Sequence, residues 1–420
     1  MKVLGIADSD SYVKWGAAML ERMPAAWHRD LVVLRTPALP SSGQLGSALS
    51  GTRFAAEQTP VIDLAALSEM VAREQPDVVL LSVRGPVVRV LVRMIVATMP
   101  RRPVIVSGLP GISIPETLNA VYYRSQVDYF VLHSKREVAA FAALADRLGV
   151  GQDFGLASLP FLPPRRTAAP RGDDIVFAAQ AKVPRALEQR QDVVRWLAET
   201  ARRNPHRRVV IKLRGIVGEA QTHSEKYPYD VLVDELEERP ENLVVSTGPM
   251  SQSLDRAAAL VTVSSTAAIE AIAIGVPVLA LDDFGVSANL INVVFEDSGL
   301  LANSAALMAG EFSEPSERWL DENYFHAPTD ETWLTGIEAA VLRREAGALV
   351  LRPQFRGSIG GNLRRVWDRK RALGGYDRSF SGYLALAVGL PLRGAVRKLR
   401  ALKARAGRAR DRTEPVLELR

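Results

Sequence analysis

The sequence predicts an α/β protein with two Rossmann-like domains that face a cleft, followed by a basic helical extension at the C-terminus. Short β-branched runs alternate with helix-length segments through the first 345 residues, which is typical of parallel sheets covered on both faces. A proline-rich break divides this alternation into halves of similar size. The net positive charge of the chain comes from the residues after 345.

The composition is that of a globular protein and excludes several kinds of chemistry. At 420 residues the chain is long enough for two domains, and 47% of its residues are hydrophobic against 24% charged. Because there is no cysteine, disulfides, thiolate nucleophiles and iron–sulfur clusters are excluded. The N-terminus predicts a strand rather than an export signal, and the longest apolar runs fall short of the roughly 20 residues that span a bilayer. We therefore predict a cytoplasmic location.

The first domain is predicted to cover residues 1–160. Its strands are apolar runs bounded by turns, and they are expected at residues 2–7, 30–34, 77–82, 103–108 and 128–133. Helices are expected between them, for example over 115–125 and 134–149. The second of these helices begins with Ser134 as N-cap, and Glu137 three residues later predicts a capping box.

A linker at residues 161–173 separates this domain from a second one predicted over 174–345. Proline and small polar residues replace the hydrophobic periodicity in the linker. Strands of the second domain are expected at 174–180, 207–215, 242–248, 258–265 and 277–283. A long helix is predicted over about 184–203, and a last helix over 330–345 is predicted to close this half.

The tail, residues 346–420, carries 18 Lys and Arg against 5 Asp and Glu. Its glycine-rich part, 352–379, predicts weak order. Residues 381–412 join an apolar start to an Arg/Lys-rich end, which predicts a helix that forms on an anionic membrane and places the protein peripherally on the inner face of the plasma membrane. The alternative is a solubilising disordered tail. The aromatic residues show no nucleic-acid-binding pattern, so nucleic acid is not predicted as a partner.

The stretch 261–283 places three hydroxyl side chains, Ser264, Ser265 and Thr266, between a β-branched run and an alanine-rich one. In an open parallel sheet, ligands bind beyond the carboxyl ends of the strands, where helix N-termini offer unpaired N–H groups to anions. These hydroxyls are therefore predicted to bind a diphosphate, with ordinary helix capping as the alternative. Glu270, one turn later, is predicted to accept hydrogen bonds from ribose hydroxyls, unless it is simply exposed.

The run 260–283 resembles the strand–loop–helix that binds the donor in GT-B glycosyltransferases. It is most similar to the capsule-polysaccharide, bacterial sialyltransferase and CDP-glycerol-type transferases, in which a Ser-Ser/Thr pair lies under the nucleotide phosphates. Gly275, Pro277 and Val278 match the step that starts the next strand in those enzymes. The resemblance covers residues 174–283; over the first domain it concerns the architecture alone. It implies the GT-B fold.

The sequence departs from those families after Lys212. A His-Pro pair often follows this lysine there, whereas here Leu213, Arg214 and Gly215 follow it. Lys212 and Arg214 are therefore predicted to hold the donor through charge, with two solvated cations as the alternative. Thr247 and Gly248 are predicted to lie beside the base and ribose, or to form only a turn. The remaining residue predicted to bind the donor is Gln180.

The acceptor and any general base are predicted to come from the first domain. An inverting transferase needs a carboxylate or imidazole within reach of the acceptor hydroxyl. The candidates are Asp8 and Asp10, which come directly after the first strand, and His133, which ends the strand at 128–133; helix capping and a structural histidine are the alternatives. Gly108 and Gly111 mark a loop that would let the acceptor approach the backbone, or that would simply turn.

The resemblance implies a glycosyltransferase that moves a sugar or alditol phosphate from a nucleotide-activated donor to a cell-envelope or polysaccharide acceptor. Its partners would be the nucleotide-sugar donor and a glycan or lipid-linked acceptor, with no other cofactor. Metal independence is expected, because the five histidines form no i, i+4 pair. The absence of a phosphate-binding GxxxxGK[ST] or GxGxxG motif disfavours ATP hydrolysis and nicotinamide chemistry. The alternatives are a sugar-nucleotide epimerase of the same fold and a non-catalytic GT-B-like binding protein.

Overall fold

The computed structural model describes residues 1–166, 172–213, 225–355, 361–389 and 391. The first domain contains a seven-stranded parallel sheet in the order β3-β2-β1-β4-β5-β6-β7. Its strands are β1 (Lys2–Ala7), β2 (His28–Leu34), β3 (Val61–Ile62), β4 (Val78–Ser82), β5 (Val104–Gly108), β6 (Tyr129–Leu132) and β7 (Phe154–Leu156). The five central strands match the predicted runs, and the short edge strands β3 and β7 are additional.

Helices cover both faces of this sheet. They are α1 (Asp10–Glu21), α2 (Ser42–Leu49), α3 (Leu64–Glu74), α4 (Gly85–Thr98), α5 (Leu118–Arg124) and α6 (Lys135–Arg147). Strands such as β4 and β5 are buried along their whole length, which explains their continuous apolar runs. Ser134 caps α6 as predicted, since its hydroxyl accepts from the Glu137 amide at 3.0 Å.

The second domain contains a six-stranded parallel sheet in the order β10-β9-β8-β11-β12-β13. Its strands are β8 (Asp174–Ala178), β9 (Val209–Lys212), β10 (Leu243–Ser246), β11 (Ala257–Thr262), β12 (Val278–Leu281) and β13 (Leu301–Ala302). Its helices are α7 (Leu187–Arg203), α8 (Tyr229–Asp234), α9 (Met250–Leu254), α10 (Ala267–Ala273), α11 (Ser304–Ala309) and α12 (Glu317–Glu322).

Helix α13 (Trp333–Glu345) leaves the second domain and packs on strands β5, β6 and β7 of the first sheet. Trp333, Ile337, Ala340 and Val341 of this helix enter a core cluster of the first domain. The prediction that this helix closes the second half is therefore wrong. Its apolar stripe identifies a buried face, but the stripe alone does not say which sheet covers that face.

The two crossings between the domains run side by side. Thr332 donates its amide to the Leu156 carbonyl and accepts from the Leu156 amide through its hydroxyl, both at 3.0 Å. The Ser158 amide donates to Glu331 at 3.1 Å, and Arg22 pairs with the same carboxylate at 2.6 Å. The second domain therefore begins and ends at neighbouring points of the first.

The tail is ordered further than predicted. Helix α14 (Gly361–Leu373) packs on α4, and Ala372 and Leu373 enter the core of the first domain, so the expected weak order of 352–379 is wrong for this helix. A further helix, α15, covers residues 380–389. Within the described ranges, no helix is both long and apolar enough to cross a membrane. The basic end of the predicted membrane segment, after 391, lies outside the described residues.

Candidate functional site

The carboxyl edges of the two sheets face each other across a cavity of about 690 Å³. The start of α1 and the loop after β5 line it from the first domain, and the loops after β8 and β11 line it from the second. Polar groups on its wall include Asp10, Ser11, Gln44, Gln180, Ser264 and Thr266. The domains approach closely here, because a Cβ atom on Gly111 would lie 3.3 Å from the Thr266 hydroxyl.

The three consecutive hydroxyls after β11 have different surroundings. Ser264 donates its amide and its hydroxyl to the Gln180 side-chain oxygen, at 2.9 and 3.1 Å. The Ser265 hydroxyl accepts at 3.2 Å from the amide of Ala267, the first residue of α10, which favours the alternative of a structural role at the helix start, although the N-cap residue itself is Thr266. Thr266 is half-buried and lines the cavity, and its side chain makes no capping bond to the described residues.

The loop after β8, which carries Gln180, is held in place by Arg190, a buried residue of α7. Its guanidinium donates to the carbonyls of Gln180, Ala181 and Pro184 at 2.7, 3.0 and 2.9 Å, and it pairs with Glu225. This arginine is not among the residues predicted to form the site. Its burial could have been predicted from the helical spacing, because Arg190 occupies an inward position of the apolar stripe that continues through Val193, Val194 and Leu197.

Lys212 ends strand β9 and is buried, with 3% of its surface exposed. Its ammonium donates to the Leu213 carbonyl at 2.6 Å and forms no ion pair with the described residues. Burial lowers the pKa of this lysine. It is aligned with Ala178 of β8 in the sheet, and so lies beside the strand that leads to Gln180.

The other described residues predicted to bind the donor are more exposed than Lys212. Thr247 and Gly248 are exposed after β10, and Gly248 has φ = +96°, a conformation that favours glycine. Glu270 is half-buried in the first turn of α10 and forms no side-chain hydrogen bond or ion pair within the described part of the chain. Arg214 lies outside the described residues.

Asp8 follows strand β1 and is fully buried in an ion pair with Arg84. Its carboxylate accepts from the Arg84 amide at 3.1 Å and from the Arg84 guanidinium at 2.8 Å. Arg84 is also the N-cap of α4 and donates to the Thr36 hydroxyl at 2.9 Å. Burial raises the pKa of Asp8 and the arginine opposes this rise. The geometry favours a role for Asp8 in anchoring α4 rather than in catalysis.

His133 is also enclosed by protein. Its Nε2 accepts from the Trp15 indole at 2.7 Å, so the proton is assigned to Nδ1, which lies 2.8 Å from the Ala157 carbonyl. Burial lowers its pKa to about 4. A buried imidazole with both nitrogens bonded to protein cannot exchange a proton with an acceptor, and this arrangement does not support His133 as a general base.

Asp10 is the candidate base whose position fits the cavity. It is the first residue of α1, is half-buried, and lines the cavity opposite Thr266 together with Ser11. The adjacent Ser9 is the N-cap of that helix. Of the three predicted catalytic residues, Asp10 alone combines partial exposure with a place on the cavity wall.

The two glycines of the predicted acceptor loop have unlike surroundings. A Cβ atom on Gly108 would lie 2.3 Å from the Trp15 ring, so this glycine makes room for the indole that bonds His133. Gly111 instead faces Thr266 across the cavity. The geometry thus places Gly111 at the site and Gly108 behind it.

Glu137 holds the loop that carries Gly111. Its buried carboxylate accepts from the amides of Ser113 and His133 at 2.7 and 2.9 Å, and from the Tyr324 hydroxyl of the second domain at 2.7 Å. Burial raises the pKa of Glu137. The sequence predicts only a capping box here, whereas in the structure the carboxylate points toward the domain interface. In the described ranges, no three His, Asp or Glu residues cluster as a metal site would require.

Two Rossmann-type sheets whose carboxyl edges face across a cavity define the GT-B fold. The chain belongs to the DUF6716 family, described as "Putative glycosyltransferase", which matches residues 3–340. The resemblance to GT-B glycosyltransferases is thereby confirmed in family and fold. A search of curated proteins finds no match.

Solved structures share the architecture at low sequence identity. A "putative UDP-N-acetylglucosamine 2-epimerase" from Listeria monocytogenes is 14% identical with a TM-score of 0.52, over 84% of this chain and 99% of that one. A UDP-GlcNAc 2-epimerase from Methanocaldococcus jannaschii is 12% identical with a TM-score of 0.47, over 81% and 99%. Phytolacca americana UGT2 is 11% identical with a TM-score of 0.42, over 83% and 93%. The first of these supports the fold.

Proposed function

We propose that this protein transfers a sugar, or an alditol phosphate, from a nucleotide-activated donor to a hydroxyl of a cell-envelope or polysaccharide acceptor at the cytoplasmic side of the membrane. One observation carries the proposal. A single cavity is lined by an open hydroxyl, Thr266, on the second domain and by a carboxylate, Asp10, on the first. Such a cavity can hold a donor and an acceptor face to face.

The donor diphosphate is proposed to lie against the loops after β8 and β11. Thr266 supplies an open hydroxyl there, whereas the Ser264 hydroxyl on the same wall donates its proton to Gln180 and holds the two loops together. Lys212 ends β9, the strand next to β8, at the same edge, and its burial without an acidic partner among the described residues favours an anion nearby. The nucleoside would extend toward Thr247 and Gly248, with Glu270 available to its ribose.

For sugar transfer, Asp10 is proposed as the general base. The acceptor hydroxyl gives its proton to the Asp10 carboxylate, and its oxygen forms a bond to the anomeric carbon. The bond between that carbon and the donor phosphate breaks, and the nucleoside diphosphate leaves with the electron pair. This pathway inverts the configuration at the anomeric carbon. Donor and acceptor are the partners that this reaction requires.

The first experiment identifies the donor class. Purified protein is screened by thermal shift against CMP, CDP, UDP, GDP and dTDP, because a ligand that binds the native state raises the melting temperature. Thr266→Val, which removes the hydroxyl and keeps the shape, should weaken binding of the stabilising nucleotide several-fold. Thr335→Val is the matched control, since Thr335 is exposed on α13. Stabilisation by none of the nucleotides, or equal binding by both variants, would contradict the donor assignment.

The second experiment separates transfer from epimerisation. A sugar transferase releases nucleoside diphosphate in proportion to added acceptor, and an alditol-phosphate transferase releases nucleoside monophosphate, whereas an epimerase changes the donor sugar without acceptor. Incubation with the nucleotide sugar identified above, with and without envelope glycans, distinguishes the two by chromatography. Epimerised donor in the absence of acceptor would replace the transferase proposal.

A further inference from the structure

Helix α15 has apolar residues on both of its faces. The inner face packs on α14, where Ala385 is buried and a Cβ atom on Gly389 would lie 2.3 Å from the Trp367 ring. The outer face carries large apolar side chains at spacings of three, four and eight residues; they are exposed to solvent, and Tyr383 among them also packs its ring against the Lys370 ammonium of α14 at 3.5 Å. Their exposed fractions are Phe380 84%, Tyr383 54%, Leu384 52% and Val388 40%. A contiguous exposed patch of this kind marks an interaction surface.

A cavity of about 1220 Å³ opens directly before this helix, between α4 and α14. Its wall includes five arginines, Arg35, Arg93, Arg365, Arg369 and Arg378. Its two acidic residues are already bonded, because Asp377 pairs with Arg369 and Asp63 accepts from the Ala66 amide. The cavity therefore carries a surplus of positive charge.

The surplus is concentrated where the cavity meets the apolar helix. Arg365 and Arg378 are exposed, and neither forms an ion pair with the described residues. Arg378 lies two positions before Phe380. The opposite wall of the cavity is apolar, with Val90 and Met94 of α4. One surface thus offers cationic and apolar groups side by side.

We propose that α15 and this arginine-lined cavity form a docking surface for an anionic phospholipid bilayer. The outer face of α15 enters the headgroup region, and Arg365 and Arg378 bind a lipid phosphate. An apolar helix face flanked by basic residues is the arrangement that holds proteins at anionic membranes. Guanidinium groups suit this ligand because they bind phosphate oxygens through two N–H groups at once.

Charge argues for a bilayer rather than a second copy of the chain. A twofold contact through α15 would bring the basic residues of one copy, including Arg365, Arg371 and Arg378, toward those of the other. The sequence after residue 391, which follows the C-terminal end of α15, adds ten Lys and Arg against three Asp and Glu. An anionic lipid surface satisfies this charge, and a like-charged copy does not.

The apolar part is tested by co-sedimentation of the full-length protein with vesicles. The vesicles consist of phosphatidylcholine alone, or of phosphatidylcholine mixed with phosphatidylglycerol. Phe380→Ser together with Leu384→Ser should weaken binding to the mixed vesicles at least about ten-fold, because two apolar side chains that would be buried in the membrane are lost. Leu342→Ser is the matched control, since Leu342 is 65% exposed on α13. Unfolding curves confirm that these surface variants fold.

The cationic part is tested with Arg365→Gln together with Arg378→Gln. Each change should weaken binding to the mixed vesicles about five-fold, and added salt should reduce the difference from wild type. Arg207→Gln, at an exposed arginine of the second domain, is the control and should bind as wild type does.

Three outcomes would overturn the proposal. Equal binding to both kinds of vesicle excludes recognition of anionic lipid. Wild-type binding by both double variants leaves the basic residues after 391 as the membrane contact. A dimer in solution that the Phe380 and Leu384 changes convert to a monomer assigns the helix face to a second copy of the chain. None of these outcomes depends on the catalytic proposal, which the nucleotide screen tests separately.

Discussion

The polar residues at the carboxyl edges of the two sheets differ in their burial and in their bonding partners. In the first domain, Asp8 and His133 are buried and bonded to Arg84 and Trp15, so strand-end groups that look catalytic serve the fold. In the second domain, Thr266 remains at the cavity wall. The comparison teaches that position at a strand end places a residue near the site, while its tertiary partners decide whether it can act there.

The largest expected effect comes from changing Asp10, the strand-end carboxylate of the first domain that does line the cavity. Asp10→Asn removes the proposed base and should lower the turnover number about 100-fold or more, with little change in nucleotide binding. Nucleoside diphosphate release measures turnover, and the thermal shift measures binding. Asp321→Asn, at an exposed residue of α12, is the control. A turnover number in Asp10→Asn equal to that of the wild type would contradict the assignment of Asp10 as the general base.

The second effect concerns the buried pair of the first domain. Arg84→Met leaves the Asp8 carboxylate buried without its cation, and should lower the free energy of unfolding by about 3 kcal/mol at neutral pH. The pKa of Asp8 is raised in the folded protein, so protonation removes the isolated charge and the deficit should shrink as the pH falls. Urea denaturation over a pH series measures this. A deficit that is constant with pH would contradict the assignment.

The third effect is the pH response of His133. Its pKa falls from 6.5 to about 4 on burial, so the unfolded chain binds a proton between these values and the folded protein does not. The free energy of unfolding contributed by this residue should therefore decrease by about 3 kcal/mol as the pH falls from 6.5 to 4. His133→Gln should flatten that part of the stability profile. An unchanged profile would show that the imidazole titrates normally.

The smallest effects sharpen the contrast between the two loop glycines. Gly108→Ala would press on Trp15 and should destabilise the protein by about 1–3 kcal/mol. Gly111→Ala meets only the Thr266 side chain, at 3.3 Å, and should weaken nucleotide binding a few-fold while leaving the melting temperature of the free protein nearly unchanged. Gly46→Ala, with open space around it, is the control. The reverse pattern would exchange the roles assigned to these glycines.

Local sequence patterns predicted the elements of the fold well. Strand β1 has the predicted bounds, because its apolar run is buried and ends sharply at Asp8. The edge strands β3 and β7 were missed, since two or three residues give no periodicity to detect. The return of α13 to the first domain could not be predicted either, because an apolar stripe does not identify its partner.

The site shows the same limit. The predicted residues Gln180, Ser264 and Thr266 do meet at one cavity, since parallel strands bring their carboxyl ends to one edge. The pairing of His133 with Trp15 joins residues 118 positions apart, and no local pattern reports it. Arg190 is the exception, because a charged residue inside an apolar stripe is visible in the sequence and signals a buried partner.

The two crossings between the domains have a consequence for modularity. Ser158 and Glu331 are hydrogen-bonded neighbours, so the second domain is in effect an insertion into a chain that would otherwise run on directly into α13. A short linker joining residues 158 and 331 would give an uninterrupted first domain, with the crossing contacts of Arg22 preserved. The second domain is thus one block that can be removed or replaced between residues 158 and 331 without cutting into the half that carries Asp10.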